Sequence, residues 1–330
     1  SYYGGTMKIE VEKWTLMNNR KIKEQAILDV VITKGIYDGE EIELKRQGNK
    51  ISENQIGDVK ITQLVELTTA SLGPYLLPQA TPNELKKIDW MSPFVDSDHR
   101  LVLSLHMLVL EINGQTILVD TCIGNDKERT YPKWNMMQTD FLSRFETAGF
   151  NRDTVDTVLC THMHVDHVGW NTLRVEENWE PTFSNADYLY SRREWEHWST
   201  QPQEYGPVFE DSVQPIFDSG LAQLVPDDYR VTDEIWLEPT PGHTPGHVSV
   251  HIKSKGEEAV ITGDMIHHPC QIKHVDWATS ADVDQAQAVL TRQKFLDQYA
   301  DRPVLIIGTH FAGPSAGKIV RDASTFRLDY

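Results

Sequence analysis

Residues Cys160–Trp170 read CTHMHVDHVGW. Within them, His162, His164, Asp166 and His167 place four metal-capable side chains in six residues. Imidazole and carboxylate are ligands for zinc and other first-row divalent ions. A lone histidine most simply packs or faces water. Four such groups crowded into one turn need a compensating cation. His162 and His164 can point one way from a loop and Asp166 and His167 another, so one turn can serve two neighbouring metals.

The stretch begins where a short apolar strand, VDTVLC, ends. Three further candidates take the same position after other apolar runs: His243 after IWLEPTPG, Asp264 after AVITG and His310 after PVLIIGT. Ligand sites gather at strand ends along one edge of a sheet. The expected metal set is therefore His162, His164, His243, Asp166, His167, Asp264 and His310.

Around these positions the chain alternates strands and helices. QAILDVVIT has strand alternation. RLVLSLHMLVLEINGQTILVD reads as a hairpin folded at Asn113-Gly114. TDFLSRFETAGF predicts an amphipathic helix stopped by Gly149. SRREWEHWSTQ and SADVDQAQAVLTRQKFLDQYA predict two more helices, with EIWLEP, HVSVHIKS, EAVITG and PVLIIG as later strands. Turns are expected at YDGE, RQGNK and NQIGD, and LGPYLLPQATPNE reads as a proline-rich connection. Residues 1–67 are read as a strand-rich extension, packed on the main domain or serving as a dimer arm. Residues 68–330 are read as the main domain, an α/β arrangement of sheets inside helices.

The bulk composition narrows the partners. With 39% hydrophobic and 24% charged residues, the chain is of ordinary globular type. A net charge of −18 and basic residues no denser than pairs such as Lys86-Lys87 disfavour nucleic acid. No apolar run approaches the length of a membrane helix. No basic segment followed by an apolar stretch opens the chain, and Met7 reads as a native start. The three widely spaced cysteines, Cys122, Cys160 and Cys270, form no zinc ribbon or disulfide framework. The expected compartment is cytoplasmic, with the periplasm left open.

THMHVDH, TPGHTPGH, TGD and GTH, preceded by LVDT at Leu118–Thr121, together resemble the ordered motifs of the metallo-β-lactamase-fold hydrolases. The resemblance covers about Leu101 to His310. It implies an αββα four-layer sandwich with two divalent metal ions, zinc first, with manganese, iron or cobalt as alternatives. Carried over, His162, His164 and His243 match the first ion's ligands. Asp166, His167 and His310 match the second's, and Asp264 the carboxylate bridging both. The implied chemistry is hydrolysis by a hydroxide shared between the ions. Asp264 and Asp166 are the catalytic candidates, Asp166 as ligand first and proton shuttle second. Asp120 is expected to brace the metal loops. His247 is read as a turn histidine. His267 and His268 are weighed as loop histidines, one of which can reach the pocket.

The branch that looks nearest holds N-acyl homoserine lactonases and methyl-parathion-type hydrolases. Lactonases of this group carry a tyrosine in an EY pair after the metal loop. Here the pair is Glu194-Trp195, and indole has no acidic hydroxyl, leaving Tyr188 or Tyr190 as substitutes. The extended N-terminus and GDMIHHPCQ resemble the organophosphate side. Trp170, Trp179, Trp195, Trp198 and YPKWNMM are expected to divide between core and an apolar pocket. A small, largely apolar ester, lactone or phosphotriester is the expected substrate. A glyoxalase-II-like thioester hydrolase and a metal-bearing binding protein are the alternatives. A homodimer is expected, with no membrane partner.

Overall fold

The structure is a computed structural model. It describes the backbone of residues 5–17, 20–32, 52–201 and 205–330, and the side chains of 54–201 and 205–330. The expected turns YDGE and RQGNK lie outside the described residues. Two compact units divide at Gly48/Asn49. In the first, β1 (Gly5–Met17) pairs antiparallel with β2 (Arg20–Ile32), which contains QAILDVVI of the expected strand. The boundary expected from the sequence lies at 67/68. It falls inside β4, which is hydrogen-bonded along its length into a sheet of the larger unit.

That unit opens with β3 (Ser52–Ile56), β4 (Val59–Thr69), β5 (Leu103–Ile112), β6 (Gln115–Val119) and β7 (Thr157–Leu159). A small hairpin, β8 (Thr172–Val175) and β9 (Asn178–Pro181), precedes β10 (Asp187–Ser191) and β11 (Ala222–Val225). Among the described residues the first sheet runs β11-β10-β7-β6-β5-β4-β3. The second is built from β12 (Ile235–Pro239), β13 (Val248–Ser254), β14 (Glu257–Ile261), β15 (Val304–Ile307), β16 (Ala316–Asp322) and β17 (Thr325–Asp329), in that spatial order.

Alternation along β5 shows why two sheets stack. Leu108, Leu110 and Ile112 point into a core shared with Ile235, Val250, Ile252 and Ile261 of the second sheet. Leu105, Met107 and Val109 point the other way, into a core closed by Phe141 and Phe145 of helix Phe141–Thr147. On the far side of the second sheet, Val260, Val304 and Ile306 meet Phe295, Leu296 and Tyr299 of helix Gln285–Tyr299. Helix, sheet, sheet and helix make the four layers of the expected αββα sandwich.

Local signals and structure agree at several joints. Asn113 and Gly114 both take positive φ, 51° and 80°, as a two-residue hairpin turn requires. Gly149, at φ 96°, follows the helix it was expected to stop. The proline-rich connection, however, contains two single-turn helices, Gly73–Leu76 and Pro82–Leu85, each with Pro in its first turn.

β6, β7 and β10 are parallel, and so are β14 and β15. Their carboxyl ends therefore deliver the following loops to one edge. Asp120 follows β6, His162 follows β7, Asp264 follows β14 and His310 follows β15.

Candidate metal centre

Two clusters form at that edge. Ligand atoms of His162, His164, His243 and Asp264 lie within 4.8 Å of one another, as do those of Asp166, His167 and His310. All seven residues named from the sequence are thus brought together. Asp264 stands at the junction. Its Oδ2 is 3.3 Å from His167 Nε2, 3.4 Å from His243 Nε2 and 3.7 Å from His162 Nε2. Its Oδ1 is 3.0 Å from His310 Nε2. Asp166 is less enclosed than the rest, its Oδ2 3.6 Å from His310 Nε2.

The imidazoles are held from behind. His167 Nδ1 is 2.8 Å from Asp120 Oδ2, and Asp120 also accepts from Thr161 N at 2.8 Å. His243 Nδ1 is 2.8 Å from Asp282 Oδ1. His310 Nδ1 meets the Ser104 carbonyl at 3.0 Å, and His162 Nδ1 meets Thr161 Oγ1 at 3.1 Å. Each of these contacts fixes a ring's orientation and turns its Nε2 inward.

The inward atoms are short of partners. His162 Nε2, His167 Nε2 and Asp264 Oδ1 are buried without a hydrogen bond. His243 Nε2 and His164 Nδ1 approach to 2.9 Å. Buried polar atoms without partners are rare, and a cation among them satisfies all at once. Nitrogen and carboxylate donors without thiolate fit zinc and its first-row neighbours.

The electrostatics divide the clusters. Burial, followed by neighbouring imidazoles, holds His162 and His164 well below the usual histidine range. Burial opposes charge on His167 and His310 as well, but the carboxylates around them, Asp264 first with Asp166 and, for His167, Asp120, together outweigh it and raise both. Burial also opposes ionisation of Asp264, yet His167, His310 and His267 keep its carboxyl well below the ordinary value.

Histidines outside the set sort clearly. His247 is a turn histidine: its Nδ1 meets Thr240 and its Nε2 accepts from Asp264 N at 2.8 Å. His268 is a buried loop residue bound to the Phe94 carbonyl. His267 faces the site instead, with Nε2 3.1 Å from Asp264 Oδ2 and Nδ1 unpartnered. Its place three residues after Asp264, beyond the short turn Gly263–Met265, was the only sequence signal. Asp282 had none, because its link to His243 is tertiary.

A cavity of about 350 Å³ opens beside the cluster. Its wall combines Leu72, Leu103, Leu105, Tyr131 and Trp134 with His164, Asp166, Asp264, His267 and His310. A second cavity of about 320 Å³ shares His164, Val165, Tyr205, Ser280 and Ala281 with it and carries Trp198. The other tryptophans named from the sequence are occupied elsewhere. Trp170 stacks on Phe141, Trp179 lies under Lys127, and Trp195 packs against Phe217 and Phe209. Tyr188 and Tyr190 are buried, their hydroxyls bonded to Asn171, so neither reaches the cavity. Cys122, Cys160 and Cys270 are buried free thiols.

Glu194 braces the loop that carries His243. Its buried carboxylate accepts from Thr244, from Gly246 N at 2.9 Å and from Trp198 Nε1 at 2.6 Å. Among the described residues no helix is long and apolar enough to cross a membrane.

Known proteins share this architecture. AidC, a dizinc quorum-quenching lactonase, superposes with TM-score 0.69 and 22% identity, covering 84% of this chain and 96% of its own. The hydrolase AbOPH gives TM-score 0.71 and 24% identity, covering 86% and 99%. In sequence, an N-acyl homoserine lactonase of Bacillus thuringiensis is 26% identical over 175 residues. That is 49% of this chain, and the match spans only 63% of the relative's length. A probable metallo-hydrolase of Mycobacterium tuberculosis is 26% identical over 223 residues, 61% of this chain and 68% of that one. The model of the metallo-beta-lactamase superfamily matches residues 102–310, a span holding all seven cluster residues and most of the chain. With its motifs, its layers and its clustered ligands in agreement, the chain belongs to the metallo-β-lactamase superfamily.

Proposed function

We propose that the protein is a dinuclear metal-dependent hydrolase of small, largely apolar esters, lactones or phosphotriesters. One observation carries the reading: the Asp264 carboxylate lies within 3.7 Å of imidazole nitrogens from both clusters. His162, His164 and His243 would hold one ion, Asp166, His167 and His310 the other, and Asp264 both. Zinc is the first expectation, with manganese, iron or cobalt also suited to the donors. Bound ions would supply Lewis acidity and lower the pKa of water.

The chain's own groups do the rest. Leu72, Leu103, Leu105 and Trp134 bind an apolar substrate arm and exclude water. Asp166 combines an edge position in the cluster with a place in the cavity wall. Its carboxylate is therefore the group suited to take a proton from the attacking water and pass it to the leaving oxygen. Asp120 and Asp282 keep the rings oriented throughout.

An N-acyl homoserine lactone is the more specific reading. Trp195 is no obstacle, since it is packed against Phe217 away from the cavity. Tyr205 stands in the cavity wall with its ring 6.2 Å from His164, bringing a phenol beside the histidine cluster. The 26% identity to a lactonase accords with this.

The test is proton release by zinc-loaded protein in weak buffer, against acyl-homoserine lactones, aryl esters, phosphotriesters and a β-lactam. Turnover of one class, lost in Asp264→Ala, is the expected result. Silence across the panel with two ions bound overturns the substrate reading. The β1–β2 ribbon, within the extension read from the sequence, is proposed as a dimer arm, because a two-stranded ribbon is marginal alone in water. Sedimentation showing only monomer at micromolar concentration overturns that assignment.

A further inference from the structure

Strand β4 breaks register between Val65 and Leu67, so Glu66 occupies an irregular position in an otherwise regular ladder. Such a bulge re-aims a side chain. Here it turns a carboxylate into the interior, where it is 6% exposed. The backbone at the break is held open by Arg144, which donates to the Val65 carbonyl and, at 3.2 Å, to the Glu66 carbonyl.

The Glu66 carboxylate joins two loops that lie far apart in sequence. Oε2 accepts from Ile123 N at 2.8 Å, and Oε1 accepts from Trp170 Nε1 at 2.7 Å. Ile123 belongs to the loop after β6 that begins with Asp120. Trp170 closes the stretch that carries His162 to His167.

The loop after β6 needs such an anchor. Asp120, Cys122 and Gly124 all take positive φ, at 57°, 54° and 81°. Two of these are not glycine, and a Cβ in that region crowds the following carbonyl oxygen. The loop is laced to the metal stretch by three backbone bonds of 2.8 Å: Thr121 N to His167 O, Gly169 N to Cys122 O and Trp170 N to Thr121 O. Its first residue, Asp120, fixes the His167 ring. Removing the carboxylate would leave the Ile123 N–H and the Trp170 indole N–H without partners in a buried place.

We propose that Glu66 is a positioning residue for the Asp166/His167/His310 cluster, holding the Asp120–Gly124 loop against the metal stretch so that Asp120 keeps His167 aimed. The inference rests on the two-metal reading above. It assigns Glu66 no contact with metal or substrate.

The test compares the parent protein, Glu66→Gln and Trp170→Phe, all stripped of metal. Each is titrated with cobalt(II), reading the visible ligand-field bands, and zinc affinities are measured by chelator competition. Melting of the metal-free forms is followed in parallel. Glu66→Gln should bind the first equivalent like the parent and the second roughly 10- to 100-fold more weakly, as loss of a supporting group does. Its spectral change should be confined to the second equivalent. Trp170→Phe should shift the second equivalent the same way, by less. A lower melting temperature with unchanged affinities and cobalt spectrum overturns the proposal and leaves Glu66 a packing residue. Equal weakening of both equivalents also overturns it. A parent that binds fewer than two equivalents overturns the two-metal reading itself, and this inference with it.

Discussion

Gly169→Ala is the sharpest perturbation of the seam beneath the metal stretch. A Cβ built on Gly169 would lie 1.9 Å from Ile123 O, 2.0 Å from Ile123 C and 2.6 Å from Cys122 O. All three atoms are backbone, so no rotamer relieves the clash. Reaching even 3.0 Å from the Ile123 oxygen requires the loop and the metal stretch to separate by more than 1 Å. That separation breaks the three 2.8 Å backbone bonds between them. At about 1 kcal/mol net for each bond, and more where a buried group is left unpaired, the loss is about 3–5 kcal/mol. Gly149→Ala is the control. Its φ of 96° also disfavours a side chain, but no atom lies within 4 Å of the added Cβ, so about 1–2 kcal/mol is expected. Urea denaturation of the metal-free proteins measures both. Gly169→Ala should also weaken metal binding, because His167 moves with the stretch, whereas Gly149→Ala should not. A Gly169→Ala protein no less stable than Gly149→Ala refutes the reasoning.

Asp211→Asn should cost about 3–5 kcal/mol, since it leaves a bidentate Arg129 partner at 2.6 and 2.9 Å and the buried Lys127 with no carboxylate; a loss under 1 kcal/mol in denaturant melts would refute this. His267 lines the cavity beside Asp264, so His267→Ala should keep both metal equivalents and lower kcat/KM on the order of tenfold, the value of about one hydrogen bond. Loss of an equivalent on metal analysis would show that His267 serves as a ligand. Burial raises the Glu66 carboxyl from 4.5 to about 7, against the Ile123 and Trp170 N–H groups. The folded state therefore keeps a proton that the unfolded chain releases above pH 4.5, and the stabilisation is lost as pH rises to about 7. A carboxyl so displaced corresponds to about 3 kcal/mol. The stability of metal-free parent relative to Glu66→Gln should fall by that amount across the window and level off above it. A difference independent of pH would refute the buried, protonated carboxyl.

The seven clustered residues were legible because their signal is local. His162, His243, Asp264 and His310 each follow an apolar strand, and the chemistry of HMHVDH is unusual whatever surrounds it. The β5–β6 hairpin, the helix before Gly149 and the helix Gln285–Tyr299 were legible for the same reason: turn residues and periodicity act over a few positions. The short strands β10 and β11 were not, since β10 is flanked by polar residues and both owe their state to parallel pairing with partners distant in sequence.

What the sequence by itself determined was the inventory of clustered histidines and aspartates, their order and, through motif resemblance, the sandwich that carries them. Only the tertiary structure decided what stands behind them. His310 is held by the Ser104 carbonyl 206 positions away, and His243 by Asp282, 39 positions away. Glu66 reaches Trp170 across 104 positions. It likewise decided that Trp195 is packed inside while Trp198 and Tyr205 face a cavity, and that β4 belongs to the main sheet. The physical reason is one of range. Propensity, capping and alternation fix a residue's face within its own element. Which groups meet behind that face depends on how sheets and loops pack together, and no local pattern records it.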